Sequence, residues 1–271
     1  MISITRPNKP TILIQKEQEW TATYVTACQN YKKETDKTHK KAFKATRDKV
    51  VKNYKHAEIY ASLRKMHSPV YSTNKKLKTV KCAYCEGHIT DTGQPHIEHF
   101  RPKEKYPSLC FEWTNLLIAC ACCNVNYKGS KFPIHQIVTI NNAPPKETCL
   151  DDVIDLKQQA CYINPAEENP NVFFLFEYDP ALERALIRPK NGNLRAARMI
   201  DDLGLNERAG LLDRRTETVE DILELVADLQ EEKLSDEGIT RKKERLKKHL
   251  HPSAAFSAFA HAIVQQFQLD L

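Results

Sequence analysis

Apolar residues recur at helical spacing in the first quarter of this chain. Four of them follow one another at intervals of three and four residues: Trp20, Tyr24, Cys28 and Tyr31. Such intervals place side chains on one face of an α-helix, and residues 15–67 contain neither glycine nor proline. We predict an extended lead-in over residues 1–14, a first helix from about residue 15 and a second helix over about residues 36–65.

Two further patterns occupy the second half of the chain. Residues 172–178 and 184–188 are rich in aromatic and branched residues, which favours strands. From about residue 193 the apolar positions return to helical spacing, and two faces recur there: Ile222, Leu225, Val226 and Leu229, then Phe256, Phe259, Ile263 and Phe267. Residues 68–78 are predicted to form a loop, and most of residues 133–180 irregular structure.

The fold class predicted from these patterns is α+β, a mainly helical protein around a small central core. The chain has 271 residues, only seven glycines and no linker-like stretch, so we expect one compact unit. We divide it into a basic helical segment (1–79), a cysteine- and histidine-rich core (80–132) and a third segment (133–271). The third segment begins with irregular structure and strands, and its C-terminal helices are expected to pack on the core.

The charge of the chain is unevenly distributed. The net charge is +6, and residues 31–55 hold ten Lys/Arg against three acidic residues, whereas residues 201–240 hold thirteen Asp/Glu against four Lys/Arg. This asymmetry favours a polyanionic partner on the basic side, where Lys40, Lys41 and Lys44 are expected to hold a nucleic-acid backbone. No apolar run is long enough for a membrane span and no signal-peptide core is visible, so we expect a cytoplasmic protein.

Nine cysteines occur, and four of them form two CxxC pairs: Cys82, Cys85, Cys120 and Cys123. Each pair lets two thiolates converge on one ion, so the four predict a tetrahedral structural zinc site. Cys122 is assigned to packing, although it could substitute as a ligand. The remaining cysteines are interpreted as small core residues: Cys28, Cys110, Cys149 and Cys161.

The two pairs bracket Glu98 and His99, an adjacent acid and base. Hydrolysis of a phosphodiester needs a base for the attacking water and a cation for the developing charge. The imidazole of His99 is suited to the first task, and the carboxylate of Glu98 is a hard ligand for Mg²⁺ or Mn²⁺. Neighbours in a strand point to opposite faces, so the pair is expected at a strand end or bulge.

The order of these residues resembles the zinc-stapled HNH (ββα-metal) endonucleases. The resemblance implies an HNH nuclease core over residues 80–132 and hydrolysis that leaves a 5′-phosphate and a 3′-hydroxyl. It also implies that Asn124 binds the catalytic Mg²⁺ or Mn²⁺ together with Glu98, and that Asn115 hydrogen-bonds backbone and holds the loop that bears His99. The alternatives are a helix N-cap for Asn124 and an ordinary turn residue for Asn115.

Four neighbouring residues keep more than one interpretation. His96 could be a third metal ligand, a phosphate contact or a packed structural histidine. Arg101, Lys103 and Lys128 could bind phosphate by charge and hydrogen bonds, or could simply form solvated surface.

Longer strings resemble a narrower group, the HNH nuclease subunit of Septu-type anti-phage systems and its retron-associated relatives. They are residues 97–103 (Ile-Glu-His-Phe-Arg-Pro-Lys), Tyr106-Pro-Ser-Leu, Trp113-x-Asn-Leu, Cys-x-x-Cys-Asn, residues 163–170, Arg198-x-Ile and Leu205-Asn. The resemblance covers residues 80–215 and implies work beside a partner ATPase, with the helices after residue 216 as candidate partner surfaces. A stand-alone nuclease is the alternative.

Two functions of different class therefore remain. The first is a metal-dependent endonuclease acting on nucleic acid, preferably DNA, in anti-phage defence. The second is a non-catalytic zinc-ribbon adaptor that binds nucleic acid or protein, in which Glu98 and His99 are incidental. The first needs zinc and a second cation, and the second needs zinc alone.

Overall fold

The computed structural model describes residues 1–67, 80–89, 93–134, 160–230, 234–269 and 271. The protein is mostly helical and has two small antiparallel sheets. The helices are α1 (Thr11–Lys33), α2 (Lys37–Val50), α3 (Ala57–His67), α4 (Leu194–Asp202), α5 (Ala209–Gln230), α6 (Asp236–Leu250) and α7 (Ser257–Gln266). The strands are β1 (His96–His99), β2 (Leu116–Ala119), β3 (Phe174–Asp179) and β4 (Arg184–Pro189). None of the described helices is long and apolar enough to cross a membrane.

The N-terminal helices differ from the prediction at two places. Helix α1 begins at Thr11, directly after Pro10, so the predicted extended lead-in is too long by four residues. The second predicted helix is broken into α2, a 3₁₀ turn (Val51–Lys55) and α3, with extended backbone at His56. No glycine or proline marks this break in the sequence. It occurs where Tyr54 packs against a side chain 45 residues further along the chain, a contact that local propensity does not report.

Strands β1 and β2 form the hairpin at the centre of the molecule. His96 pairs with Ala119 and His99 with Leu116, in antiparallel register. All four residues of β2 are fully buried, as expected for a short, uninterrupted apolar run. A π-helical turn (Cys122–Lys128) follows β2 at once, so the local order is strand, strand, helical turn.

The second sheet lies under the C-terminal helices. Strands β3 and β4 confirm the two predicted strands to within two residues. Helix α7 packs on β3 and α5 on β4, and the rings of Phe176 and Phe259 meet at 5.3 Å. The predicted return to helices after residue 193 is confirmed by α4 to α7.

The string at residues 163–170 joins three parts of the fold. Glu168 forms an ion pair with Arg195 of α4 at 2.7 Å, and the carbonyl of Pro165 accepts a hydrogen bond from the amide of Ile4 at 2.8 Å. Asn164 accepts from the amide of Ala166 at 3.1 Å and so fixes the turn. This string therefore connects the N-terminal segment to α4.

Some predictions concern residues that the structure does not describe. The loop at 68–78 and Cys149 lie outside the described residues. Cys110 and Cys161 are buried and Cys28 is half-buried. The division into three segments stays a prediction.

Candidate functional site

The four cysteines of the CxxC pairs converge at one point. Their sulfur atoms all lie within 4.8 Å of one another, and the sulfurs of Cys85 and Cys120 are 4.0 Å apart. Cys82 and Cys85 occupy a tight turn closed by a bond from the amide of Glu86 to the carbonyl of Cys82 at 3.1 Å. Cys120 follows β2, and Cys123 lies in the π-helical turn. Cys122 is not a member of this group.

The donor set fits a zinc ion. Four sulfurs at the usual Zn–S distance of about 2.3 Å stand about 3.8 Å apart in a tetrahedron, close to the separation seen here. One hydrogen bond also fits a metal-bound thiolate. The amide of Cys123 donates to the sulfur of Cys120 at 3.3 Å, and such a bond is stronger when the sulfur is charged. The four cysteines could therefore hold a metal such as zinc between the two ends of the segment from Cys82 to Cys123.

Glu98 lies at the end of β1 and is only 2% exposed. Its Oε1 pairs with the ammonium group of Lys128 at 2.6 Å and accepts from the hydroxyl of Tyr84 at 3.2 Å. Burial raises the pKa of Glu98, and the nearby Lys128 opposes that rise. Both contacts engage the same oxygen, and Oε2 forms no hydrogen bond with another of the described residues.

His99 is buried next to Glu98, at the last residue of β1. Its Nε2 lies 2.9 Å from the carbonyl oxygen of Cys110, and its ring meets Tyr54 edge-on at 4.7 Å between centroids. A carbonyl can only accept, so Nε2 carries the proton and Nδ1 of the neutral ring is an acceptor. Burial, aided by the positive charge of Lys103, lowers the pKa of His99 to about 3, so the ring is neutral at pH 7.

The two asparagines hydrogen-bond to different segments of the site, Asn115 to the loop after His99 and Asn124 to β1. Asn115 is buried, accepts from the amide of Arg101 at 2.7 Å, and donates to the carbonyls of Arg101 and Leu109 at 3.0 Å each. These three bonds fix the loop that leaves His99. Asn124 uses its Nδ2 to approach the carbonyl of Ile97 at 3.5 Å, which leaves its Oδ1 as the free oxygen of the amide.

A cavity of about 460 Å³ brings the site together. Its wall includes His96, Glu98, His99, Lys103 and Asn124. These are five of the residues that the sequence singled out. The opposite wall comes from the turn before α3 and from α3 itself, through Tyr54, Lys55 and Tyr60.

The basic residues predicted to bind phosphate lie in different surroundings. Lys128 is 1% exposed and paired with Glu98, so in this structure its ammonium group is closed to a phosphate. Arg101 stacks over the rings of Tyr106 and Phe132, at 5.3 and 4.9 Å from their centroids. Lys103 lines the cavity and pairs with Glu104 at 2.8 Å. A buried carboxylate requires a nearby cation, which accounts for the position of Lys128 beside Glu98, and its role in phosphate binding stays a prediction.

The three lysines of the basic helix lie on α2, away from the lining of this cavity. Lys41 and Lys44 are exposed, whereas Lys40 is half-buried with its ammonium group 5.2 Å from the ring of Tyr31. No residue of α2 is buried, and the helix packs on α1. Its C-terminal end leads directly into the turn that carries Tyr54.

Comparison with known proteins shows sequence similarity to two bacterial proteins, both named Septu protein PtuB. The chain is similar to Septu protein PtuB of Bacillus mycoides, with 30% identity over 161 residues. That alignment covers 55% of this chain and 50% of the relative, so the chain spans only half of the relative's length. It is also similar to Septu protein PtuB of Bacillus thuringiensis, with 44% identity over 45 residues, which is 16% of this chain and 18% of the relative.

The other comparisons gave no relationship. No protein-family model matches the chain. No solved structure matches it either. The similarity to the Septu proteins therefore stands on sequence alone.

Sequence reasoning missed three residues at the site. Tyr54 covers the ring of His99, Tyr84 bonds Glu98, and Arg208 donates to the sulfur of Cys123 at 3.3 Å. The contacts of Tyr54 and Arg208 span 45 and 85 residues, so no local spacing could reveal them. Tyr84 lies inside the first CxxC pair, and its position between two ligands was the available signal.

Proposed function

We propose that this chain is a metal-dependent endonuclease of the HNH type, acting on DNA in preference to RNA within a Septu-type anti-phage defence system. His99 carries the proposal. Its imidazole is neutral, its Nε2–H is fixed on the carbonyl of Cys110, and its ring lines the same cavity as Glu98 and Asn124. A base oriented in this way beside two oxygen ligands suits phosphodiester hydrolysis better than a passive zinc module.

The residues of the cavity divide the chemistry among them. Glu98 and Asn124 would hold a Mg²⁺ or Mn²⁺ ion through oxygen atoms, which these hard cations prefer. When bound, that cation stabilises the negative charge that develops on the leaving oxygen. His99 accepts the proton of the attacking water at Nδ1. The water oxygen bonds to phosphorus and the bond to the 3′ oxygen breaks. The 3′ oxygen takes a proton from solvent, so a 5′-phosphate and a 3′-hydroxyl remain.

Zinc has a separate role in this proposal. The four thiolates of the CxxC pairs leave no open position on a tetrahedral ion, so zinc there would be structural. It would connect the turn at residues 82–85 to the end of β2. Glu98, His99 and Asn124 lie between or next to these two anchored ends.

The defence role rests on the similarity to the Septu proteins. In the family that the sequence resembles, such a nuclease works beside a partner ATPase. We extend this arrangement to the present chain, with the helices after residue 216 as the partner surface. The acidic stretch of the charge asymmetry, residues 201–240, extends into these helices.

The test is cleavage by purified wild type, His99→Ala and His261→Ala, each with plasmid DNA and with bulk RNA. The buffers contain Mg²⁺, Mn²⁺ or EDTA. His261 is a matched control, because its Nε2 also lies 2.9 Å from a backbone carbonyl, that of Leu250, but it is remote from the cavity. We expect cation-dependent cutting that falls by about 10²–10⁴-fold in His99→Ala and persists in His261→Ala.

Three outcomes would contradict the proposal. Cutting that survives in EDTA, or in His99→Ala, would remove the assigned cation or base. Absence of cutting by the wild type, alone and with a partner ATPase, would favour the zinc-only adaptor. Comparison of cutting on plasmid DNA and on bulk RNA shows which of the two is the substrate.

A further inference from the structure

Arg208 makes an unusual contact with one of the four clustered cysteines. The residue stands directly before α5, and its Nη1 and Nη2 lie 3.3 and 3.4 Å from the sulfur of Cys123. Both guanidinium nitrogens therefore donate to a single sulfur. Charged donors form their strongest hydrogen bonds with charged acceptors, so this contact suits a metal-bound thiolate.

The guanidinium group of Arg208 is fixed in place from both sides. Its Nε donates to the carbonyl of Gly204 at 3.1 Å, and its Cζ lies 4.9 Å from the ring centroid of Tyr127. Tyr127 belongs to the same π-helical turn as Cys123. Gly204 has a φ of +55°, and a Cβ there would stand 2.2 Å from Cε1 of Tyr127, so only glycine allows this approach.

Charge balance around the cluster supports the same conclusion. A zinc ion with four thiolates carries a net charge of −2. Arg208 donates to no carboxylate in the part of the chain that the structure describes, whereas the fully buried Arg215 lies in electrostatic range of Glu86. Arg215 donates to the carbonyl of Ala185 and the amide oxygen of Asn206, and it lies in electrostatic range of Cys85. Arg208 is thus a cation without a carboxylate partner among the described residues, and it stands beside a cluster whose net charge would be negative.

We propose that Arg208 is a positioning residue for the metal site, and that its two bonds to the Cys123 sulfur slow the loss of zinc. The contact links the junction between α4 and α5 to the metal, 85 residues away along the chain. Groups that hydrogen-bond to metal ligands commonly change metal affinity by about 10–100-fold when they are removed. The inference rests on the metal site of the proposed function and is independent of cleavage.

The experiment compares zinc retention in wild type, Arg208→Met, Arg208→Lys and Arg214→Met. Arg214 is a matched control, because its Nε also donates to the carbonyl four residues earlier, at 3.0 Å, but it is exposed and touches no cysteine sulfur among the described residues. Transfer of zinc to a chromophoric chelator gives the release rate. Cobalt(II) replaces zinc in a parallel sample, and its thiolate-to-metal absorption band reports on the ligand sulfurs.

We expect Arg208→Met to release zinc about 10–100-fold faster than Arg214→Met and to shift the cobalt band. Arg208→Lys keeps the charge without the two-nitrogen fork, so its rate should be intermediate. If Arg208→Met does not fold, Arg208→Lys against Arg214→Met provides the comparison. Equal release rates and an unchanged cobalt band would overturn the inference, even if the thermal stability of the Arg208 variants is lower. A wild type that binds no zinc would overturn it together with the structural zinc site.

Discussion

At the scale of single residues, the ion pair between Lys128 and Glu98 is closed to solvent, with exposures of 1% and 2%. Lys128 also donates to the carbonyl of His99 at 3.0 Å. A buried pair contributes little when it is intact, but removal of one partner leaves an uncompensated charge in an apolar environment. We therefore expect Lys128 to be important for the stability of the fold, separately from its predicted contact with phosphate.

We expect Lys128→Met to lower the free energy of unfolding by about 3–5 kcal/mol. Urea denaturation followed by circular dichroism measures this change. Lys131→Met is the control, because Lys131 is exposed on the following turn and should change stability little. The salt dependence of DNA binding should be the same in both variants. A shallower salt dependence in Lys128→Met alone would show that Lys128 contacts phosphate.

The sequence predicted the clustered residues for a physical reason. The two CxxC spacings, the Glu98-His99 step and the Cys123-Asn124 step are all local, and local spacing fixes which side chains can share an ion. The burial of Lys128 was not predictable in this way, because its partner is 30 residues earlier in the chain. The same limit applies to Tyr54 and Arg208.

At the scale of elements, α2 is a basic helix with no buried residue. Its N-terminus is capped by Asp36, whose carboxylate accepts from the amides of Thr38 and His39 at 2.9 Å each. The helix ends beside the turn that carries Tyr54, so nucleic acid held along α2 would be directed toward the cavity. This placement motivates a test of its lysines.

Replacement of Lys40, Lys41 and Lys44 by Gln should weaken DNA binding equally for all sequences. Each lost phosphate contact lowers the slope of log K against log salt by about 0.9. Fluorescence anisotropy at several salt concentrations measures this slope. The control replaces three exposed cations of α6, Arg245, Lys247 and Lys248, which changes the net charge by the same amount. A sequence-selective loss, or an equal effect of the α6 replacement, would argue against backbone binding by α2.

Periodicity predicted most elements well and failed at one break. Strands β3 and β4 were predictable because both are rich in aromatic and branched residues. In β3, Phe174 and Phe176 are buried and Leu175 is exposed, as a half-buried strand requires, whereas three consecutive residues of β4 are buried. The interruption between α2 and α3 was not predictable. It depends on the packing of Tyr54 against His99, which involves two separate segments.

At the scale of the whole molecule, the four-cysteine cluster joins the turn at 82–85, the end of β2 and, through Arg208, the start of α5. Metal binding at such a point adds to the stability of the folded state, because the unfolded chain does not form the site. Loss of the metal should therefore affect the whole fold.

We expect Cys85→Ser to lose its zinc and to unfold at a lower temperature. A loss of about 4 kcal/mol corresponds to a fall of roughly 10 °C for a chain of this size. Elemental analysis measures the zinc content and calorimetry the melting temperature. Cys28→Ser, a change at a half-buried position outside the cluster, is the control and should keep its zinc. Normal zinc content in Cys85→Ser would refute the four-cysteine site.

Arg6 links the N-terminal segment to the loop that precedes β2, and this link bears on the order in which the chain folds. Its guanidinium group donates to the carbonyls of Trp113, Thr114 and Leu116 at 2.7–2.9 Å, between 107 and 110 residues further along the chain. Forming these contacts closes a loop of more than a hundred residues, which costs more conformational entropy than the local contacts of a helix. We therefore expect them to form late in folding. On the ribosome, the acceptors of Arg6 emerge more than a hundred residues after Arg6 itself. A growing chain therefore carries α1, α2 and α3 before the loop around Asn115 is fixed.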